Sequence, residues 1–272
     1  MPTISPAPTV ALSTSGVGIS FGGVRAVNDV SISVAPGEIV GIIGPNGAGK
    51  TTLFDCISGT QPHEGRVVVG DRDVTASSPA ERARAGLGRS FQDARLFHTM
   101  TVLDTLRVAS ERHNPRGSGA LSTLVGRSGA IAAERRSDEQ ARDVIAAFGL
   151  AAYRDRLIGE LSTGTRRVVD LAAILVQRPS VVLLDEPSSG IAQKEAEALG
   201  PLLLRLRDEL GCAMVVIEHD MPLLLGLAER VVALETGAVI AEGSPRDVIA
   251  HPEVVRSYLG SDHVAIQRSG AV

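Results

Sequence analysis

The stretch Gly44-Pro45-Asn46-Gly47-Ala48-Gly49-Lys50-Thr51-Thr52 constrains this chain more than any other. The apolar run Ile39-Val40-Gly41-Ile42-Ile43 precedes it and reads as a buried strand; Leu53-Phe54-Asp55-Cys56-Ile57 follows and reads as a helix. Strand, glycine-rich turn and helix with the spacing G-x-x-x-x-G-K-T form a phosphate-binding loop. Its glycines let successive backbone N–H groups converge on the β-phosphate of a nucleotide, and the helix N-terminus adds partial positive charge. In such a loop Lys50 bridges the β- and γ-phosphates and the Thr51 hydroxyl ligates Mg²⁺.

The rest of the composition mainly excludes. With 272 residues the chain can bury one large core or two small ones. A net charge of -4, 3% aromatics and no Trp argue against a nucleic-acid partner. Cys56 and Cys212 are far apart and form no metal-ligand pattern. Residues 1–14, rich in Pro, Ser and Thr, read as a disordered tail rather than a signal peptide. No apolar run approaches the roughly 18 residues of a membrane span, so any membrane role would go through a partner.

Taken in order, Val17-Gly18-Ile19-Ser20-Phe21 and residues 30–34 alternate as half-buried strands, with Gly22-Gly23 turning between them. Phe21 ends the first strand; it is either a core side chain or a platform for adenine. Residues 65–70 read as a strand. Ser78 and Glu81 flank Pro79 as a capping box for a helix over 79–85, and a strand follows over 86–90. After the loop 91–97, Thr101 caps a helix running to about 112. Residues 114–127 read as a loop. Residues 130–148 read as a helix with Ile131, Ala141, Val144, Ile145 and Phe148 on one side and Gly149 as its C-cap. These helices make an all-α lobe, about 98–175, inserted into an α/β core. Leu161-Ser162-Thr163-Gly164-Thr165 opens a helix over 166–177; a serine and a glycine at a helix N-terminus can bind an anion, but on its own residues Ser162 reads first as a plain helix cap.

Val181-Val182-Leu183-Leu184-Asp185-Glu186-Pro187 reads as a strand buried on both faces that ends in two carboxylates. Carboxylates at that end of a parallel strand face the ligand crevice of an open sheet. There Asp185 would hold Mg²⁺, and Glu186 would orient or deprotonate the water that attacks the γ-phosphate. The strand 212–217 delivers Glu218-His219-Asp220 to the same edge, which favours a γ-phosphate contact for His219 over a purely structural role. Strands over 231–234 and 238–241, helices opening at Ser244 and over 252–259, and a loose tail over 261–272 complete the chain.

The set of the phosphate loop, Gln92, Leu161 to Thr165, Leu184 to Pro187 and His219 resembles the nucleotide-binding subunit of an ABC transporter. The order and spacing match over about residues 14–260. The resemblance implies a P-loop NTPase of the ABC type: α/β, with a mostly parallel core sheet, an antiparallel β subdomain and an inserted α-helical subdomain. It implies hydrolysis of ATP with Mg²⁺ between two subunits, identical or different, that sandwich two nucleotides. Phe21, Gly44, Pro45, Asn46, Gly47, Ala48, Gly49, Lys50, Thr51, Thr52, Gln92, Asp185, Glu186 and His219 would then act on one ATP, and Ser162 and Gly164 on the ATP of the other subunit. Gln92 would touch both Mg²⁺ and the attacking water, and the groove near Phe91 to Phe97 would receive a membrane permease. Phe21 to Asn28, Arg89 to Gln92 with Arg95 to Phe97, Ile217 to Met221 and Tyr258-Leu259-Gly260 are similar to the larger ATPase subunit of branched-chain amino-acid importers, which work with an extracytoplasmic solute-binding protein at the cytoplasmic face of the membrane. Cousins serve urea or amide uptake or lipopolysaccharide export. A non-transport ABC switch protein usually carries two cassettes in one chain, and this chain has one.

Three positions depart from the family pattern. Thr163 stands where Gly is usual, Thr165 where Gln is usual, and Ala192 where Asp or Asn is usual. The first two imply a weaker contact to the partner's nucleotide, the third looser communication across the dimer.

Overall fold

The computed structural model describes residues 10–90, 96–110, 127–191 and 193–258. Strands β1 (Leu12–Phe21), β2 (Val24–Val34), β4 (Glu64–Val69) and β5 (Arg72–Asp73) form an antiparallel sheet in the order β2-β1-β4-β5. Strands β3 (Ile39–Ile43), β6 (Leu87–Arg89), β7 (Val181–Asp185), β8 (Ala213–Ile217), β9 (Arg230–Glu235) and β10 (Ala238–Gly243) form a second sheet in the order β10-β9-β3-β8-β7-β6. Every neighbouring pair in it is parallel except β10 with β9.

The central strands β3, β7 and β8 are buried along their whole length. Their side chains alternate between two cores. Val182, Leu184, Met214 and Val216 enter one, with the helices; Val181, Leu183, Val215 and Ile217 enter the other, with helix α1 (Lys50–Ser58) and the antiparallel sheet. This is why the strands read as unbroken apolar runs rather than as alternating ones. Each Val or Leu so buried contributes about 1.5–3 kcal/mol.

Helix α2 (Pro79–Ala85) has the expected capping box, with Ser78 and Glu81 satisfying each other's backbone. Helix α3 (Val102–Ser110) is capped by Thr101, whose Oγ1 accepts from the Asp104 N–H at 3.1 Å. It packs on α4 (Arg127–Ala147) and α5 (Thr163–Leu175). Helices α6 (Gln193–Leu210), α7 (Met221–Leu227) and α8 (Pro245–Ala250) and a last helical stretch over 252–258 follow.

Several boundaries differ from expectation. β1 begins at Leu12, so the chain joins the sheet inside the stretch 1–14 expected to be a tail. β1 and β2 are twice the expected length because they pair along their whole edge, and edge pairing leaves no local sequence mark. Gly22 and Gly23 both have positive φ, 53° and 87°, as a two-residue primed turn requires. α4 begins at Arg127 rather than 130. α5 begins at Thr163 rather than 166, because Ser162 is the N-cap and the Gly164 backbone is already helical. Ile131 lies outside the residues whose side chains are described, as do residues 111–126, which hold most of the expected loop. Residues 1–9 and the tail 261–272 also lie outside the described residues.

Candidate active site

The phosphate loop leaves the carboxyl end of β3, in the middle of the parallel sheet, with β8 on one side and β9 on the other. Ligand crevices of open α/β sheets form at this edge. The loop is wedged among distant segments. The Gly44 N–H donates to the Tyr258 hydroxyl at 2.8 Å. The Ala48 carbonyl accepts from the Gly237 N–H at 3.0 Å, and the Gly237 carbonyl accepts from the Asn28 N–H at 2.8 Å. Asn46, Gly47 and Thr51 face outward and are exposed. Lys50 is 6% exposed. Its Nζ donates to the Gly44 and Pro45 carbonyls at 2.7 and 3.1 Å. Burial lowers its pKa, and the carboxylates of Glu186 and Asp185 oppose that shift.

Tyr258 → Phe is expected to raise the dissociation constant for ATP by about 2–10-fold, the value of one net hydrogen bond, and to leave turnover at saturating ATP largely unchanged. Equilibrium titration with a fluorescent ATP analogue checks this; unchanged affinity would show that the hydroxyl does not tune the loop.

β7 carries Asp185 to the same edge, 1% exposed. Burial raises its pKa, while Arg89 and a hydrogen bond from the Thr51 side chain act the other way. Its N–H donates to the Ser90 Oγ at 3.0 Å. Its Oδ1 is buried and has no hydrogen-bond partner among the described residues. A buried acceptor oxygen beside a threonine hydroxyl suits a small divalent cation. Mg²⁺ takes one or two protein oxygens and fills the rest of its shell with water and phosphate. Among the described residues no group of three or more His, Cys, Asp or Glu gathers into a larger cage.

The next residue, Glu186, turns the chain sharply. Its φ is 48°, in the left-handed region that non-glycine residues rarely enter. Its N–H donates to the Ile217 carbonyl at 2.9 Å. The turn aims its carboxylate at His219, whose Nε2 lies 3.2 Å from Glu186 Oε1. The carboxylate is 19% exposed and the imidazole 43%, so the pair sits at the rim of the crevice, open to an incoming group.

Phe21 is 48% exposed at the end of β1. It is not a core side chain, which leaves the stacking role open to it. β2, the other arm of its hairpin, touches the loop through Ala26: a Cβ built on Gly49 would lie 2.3 Å from the Ala26 carbonyl oxygen. Ser162 and Gly164 lie at the start of α5, with Ser162 exposed and Gly164 buried. Ser162 Oγ accepts from the Thr165 N–H at 3.1 Å and lies 2.9 Å from Thr165 Oγ1. The structure brings together Lys50, Thr51, Asp185, Glu186 and His219; the hydrogen bonds of Ser162 stay within its own helix cap. Gln92 and the groove residues Phe91 to Arg95 lie outside the described residues, as does Ala192. Phe97, the last residue of the stretch expected to meet a permease, is 69% exposed.

Four residues at the site have no assigned role in the sequence reading. Tyr258 comes from the far end of the chain. Arg89, with its side chain 7% exposed, pairs with Asp55 on α1 at 2.8 Å and faces Asp185. Glu218, 2% exposed, accepts from the Ser188 and His219 N–H groups, both at 2.9 Å. Arg167, 5% exposed, reaches the carbonyls after β7. Arg167 did leave a signal: Gly164, Arg167, Leu171 and Ile174 follow helical spacing, so one charge falls on a buried stripe and must find acceptors there.

Two family models match the chain: "ABC transporter" over residues 27–189, and "Branched-chain amino acid ATP-binding cassette transporter" over residues 238–264. The chain is 36% identical over 250 residues to the high-affinity branched-chain amino acid transport ATP-binding protein LivG of Escherichia coli (strain K12), covering 92% of this chain and 97% of that one. It is 35% identical to the corresponding protein BraF of Pseudomonas aeruginosa over the same shares of both chains. The lipopolysaccharide export system ATP-binding protein LptB of Escherichia coli is 32% identical over 92% of this chain and 98% of its own. Among solved structures, an ATP-binding cassette of an ABC transporter in its ADP conformation superposes with a TM-score of 0.76 at 31% identity, covering 92% of this chain and 99% of that one.

Proposed function

The chain belongs to the ABC transporter family of ATP-binding cassettes, and from that membership we propose that it is the ATP-hydrolysing subunit of an importer for branched-chain or related amino acids. The observation that supports the solute class is the C-terminal match over residues 238–264, joined to likeness with LivG and BraF along nearly the whole chain. The residues of that C-terminal segment are not remote from the chemistry, since Tyr258 holds Gly44. The exporter relative is less similar, at 32%.

In this reading Phe21 stacks on adenine, while the backbone of Gly44 to Thr52 and the Lys50 ammonium hold the phosphates. Thr51, Asp185 and Gln92 would hold Mg²⁺, which neutralises charge on the phosphate oxygens. Glu186 takes a proton from the attacking water, and His219 orients both the carboxylate and the γ-phosphate. Ser162 and Gly164 close over the nucleotide of a second ATPase subunit. The groove near Phe91 to Phe97 seats a transmembrane permease. In this reading the chain works at the cytoplasmic face of a membrane. No helix of the described residues is long and apolar enough to cross one.

Reconstitution in vesicles with the membrane subunits and solute-binding protein that co-purify with it tests the reading. ATP-dependent uptake of leucine, isoleucine or valine is expected. Uptake of urea or an amide instead, or outward movement of a lipid, would replace it.

The signature departures carry their own prediction. Thr165 ties up Ser162 through both its N–H and its hydroxyl. Thr165 → Gln removes the hydroxyl partner and leaves Ser162 Oγ with the cap N–H alone, so its hydroxyl can turn to a phosphate. On a Glu186 → Gln background it should raise the dimer fraction seen by gel filtration with ATP, with nucleotide affinity of the single subunit unchanged. An unchanged dimer fraction would count against it.

A further inference from the structure

We propose that Arg167 is a positioning residue for the general base: from the second turn of α5 it grips the backbone that aims Glu186, and so couples the cap closing on one subunit's ATP to the base acting on the other. The coupling rests on the function proposed above; the grip itself does not.

The strained turn after β7 brings three carbonyls to one spot. Arg167 donates to all three. Its Nη2 lies 2.7 Å from the Glu186 oxygen and 3.3 Å from the Asp185 oxygen, and its Nε lies 3.4 Å from the Pro187 oxygen. A guanidinium offers several N–H groups in one rigid plane and stays charged when buried, which an ammonium does not reproduce. On the other side of the same segment, the carboxylate of Glu218 accepts from the Ser188 and His219 N–H groups, each at 2.9 Å. The stretch 185–188 is therefore held between a buried cation on its carbonyls and a buried anion on its amide. Glu186 keeps its left-handed φ of 48° because both sides determine it, and Glu218 places His219 with the same group.

The grip starts from a helix with a second task. Ser162 caps α5 little more than one turn before Arg167, so about 8 Å of the same hydrogen-bonded helix joins the cap to the grip. The segment after Glu186 also lies beside the cap: a Cβ built on Gly190 would sit 3.8 Å from the Thr163 methyl group. A tilt of α5 on engaging a partner's nucleotide would thus pull on the carbonyls of Asp185, Glu186 and Pro187 in its own subunit.

Arg167 → Lys and Arg167 → Gln in the full chain test this, with three readouts. Affinity for ATP, titrated with a fluorescent analogue, should stay within about twofold, because the described hydrogen bonds of Arg167 go to the carbonyls of Asp185, Glu186 and Pro187 and not to the phosphate loop. Turnover at saturating ATP should fall by roughly tenfold or more in both variants, with lysine giving no rescue. Hydrogen exchange at the Ser188 and His219 amides should speed up roughly tenfold, with α1 unchanged. Lysine restoring both turnover and exchange would overturn the proposal, as would faster exchange spread over the whole chain with ATP affinity falling in step, which marks a purely structural residue. Exchange needs no turnover. A wild-type chain that fails to hydrolyse ATP would refute the proposed function while leaving the grip to be judged on exchange and affinity alone.

Discussion

Replacing Glu186 with glutamine is expected to lower ATP turnover by on the order of 10²–10⁴, the range for loss of a positioned general base, without weakening ATP binding. The carboxylate stands at the crevice rim, 3.2 Å from the His219 imidazole. Glutamine has the same shape and leaves the backbone contacts of the turn in place: the N–H to Ile217 and the carbonyl to Arg167. What disappears is the ability to take a proton. The intact γ-phosphate should then persist between two subunits, and the variant should collect as an ATP-bound dimer. Phosphate release and gel filtration with ATP read the two halves of the prediction. Near-normal phosphate release would remove Glu186 from the role of base.

Gly49 → Ala is expected to destabilise the chain by about 2–5 kcal/mol and to abolish tight ATP binding. Gly49 has a φ of 94°, strained for any side chain, and the added Cβ would lie 2.3 Å from the Ala26 carbonyl oxygen. That neighbour is backbone of β2, pinned through the Asn28 N–H to Gly237, so it cannot swing aside as a flexible side chain would. The loop or the hairpin must shift, and with it either the phosphate cradle or Phe21. Gly47 → Ala is the control. Its φ of 83° is also unfavourable, but nothing lies within 4 Å of the added methyl group, so only the backbone strain of about 1–2 kcal/mol remains. Urea unfolding at constant m-value and ATP titration separate the two variants. Equal losses for both would mean that crowding against Ala26 is unimportant.

Where the chemistry lies within a few residues, the fold was legible. Ser78 and Glu81 satisfy each other across one turn, and Thr101 caps its own helix, so α2 and α3 were marked in the chain itself. The unbroken apolar runs of β3, β7 and β8 announced burial on both faces, and Asp185 and Glu186 stand at the carboxyl end of β7. The lengths of β1 and β2 were not legible, because pairing along a whole edge depends on the partner strand. The helical α5 from Thr163 ran against a reading that placed its start after the glycine, since a cap residue and a first-turn residue look alike until the chain is folded.

The sequence by itself determined the presence of a phosphate-type loop, its strand and helix, and the identity of the groups that gather around Lys50 at the carboxyl edge of the sheet. Spacing of a few residues along a regular element translates directly into direction, as from Gly44 to Lys50 or from Val181 to Asp185. Only the tertiary structure decided how those groups are held. Tyr258 meets Gly44 across 214 residues, Ser90 meets Asp185 across 95, Glu218 meets Ser188 across 30 and Arg167 meets Glu186 across 19. Each contact depends on packing between elements whose separation along the chain carries no periodic signal. The left-handed turn at Glu186 is the clearest case. A glutamate does not prefer that conformation, and the chain holds it there with the Glu186 N–H on the Ile217 carbonyl, Arg167 on the Glu186 carbonyl and Glu218 on the Ser188 N–H two residues on.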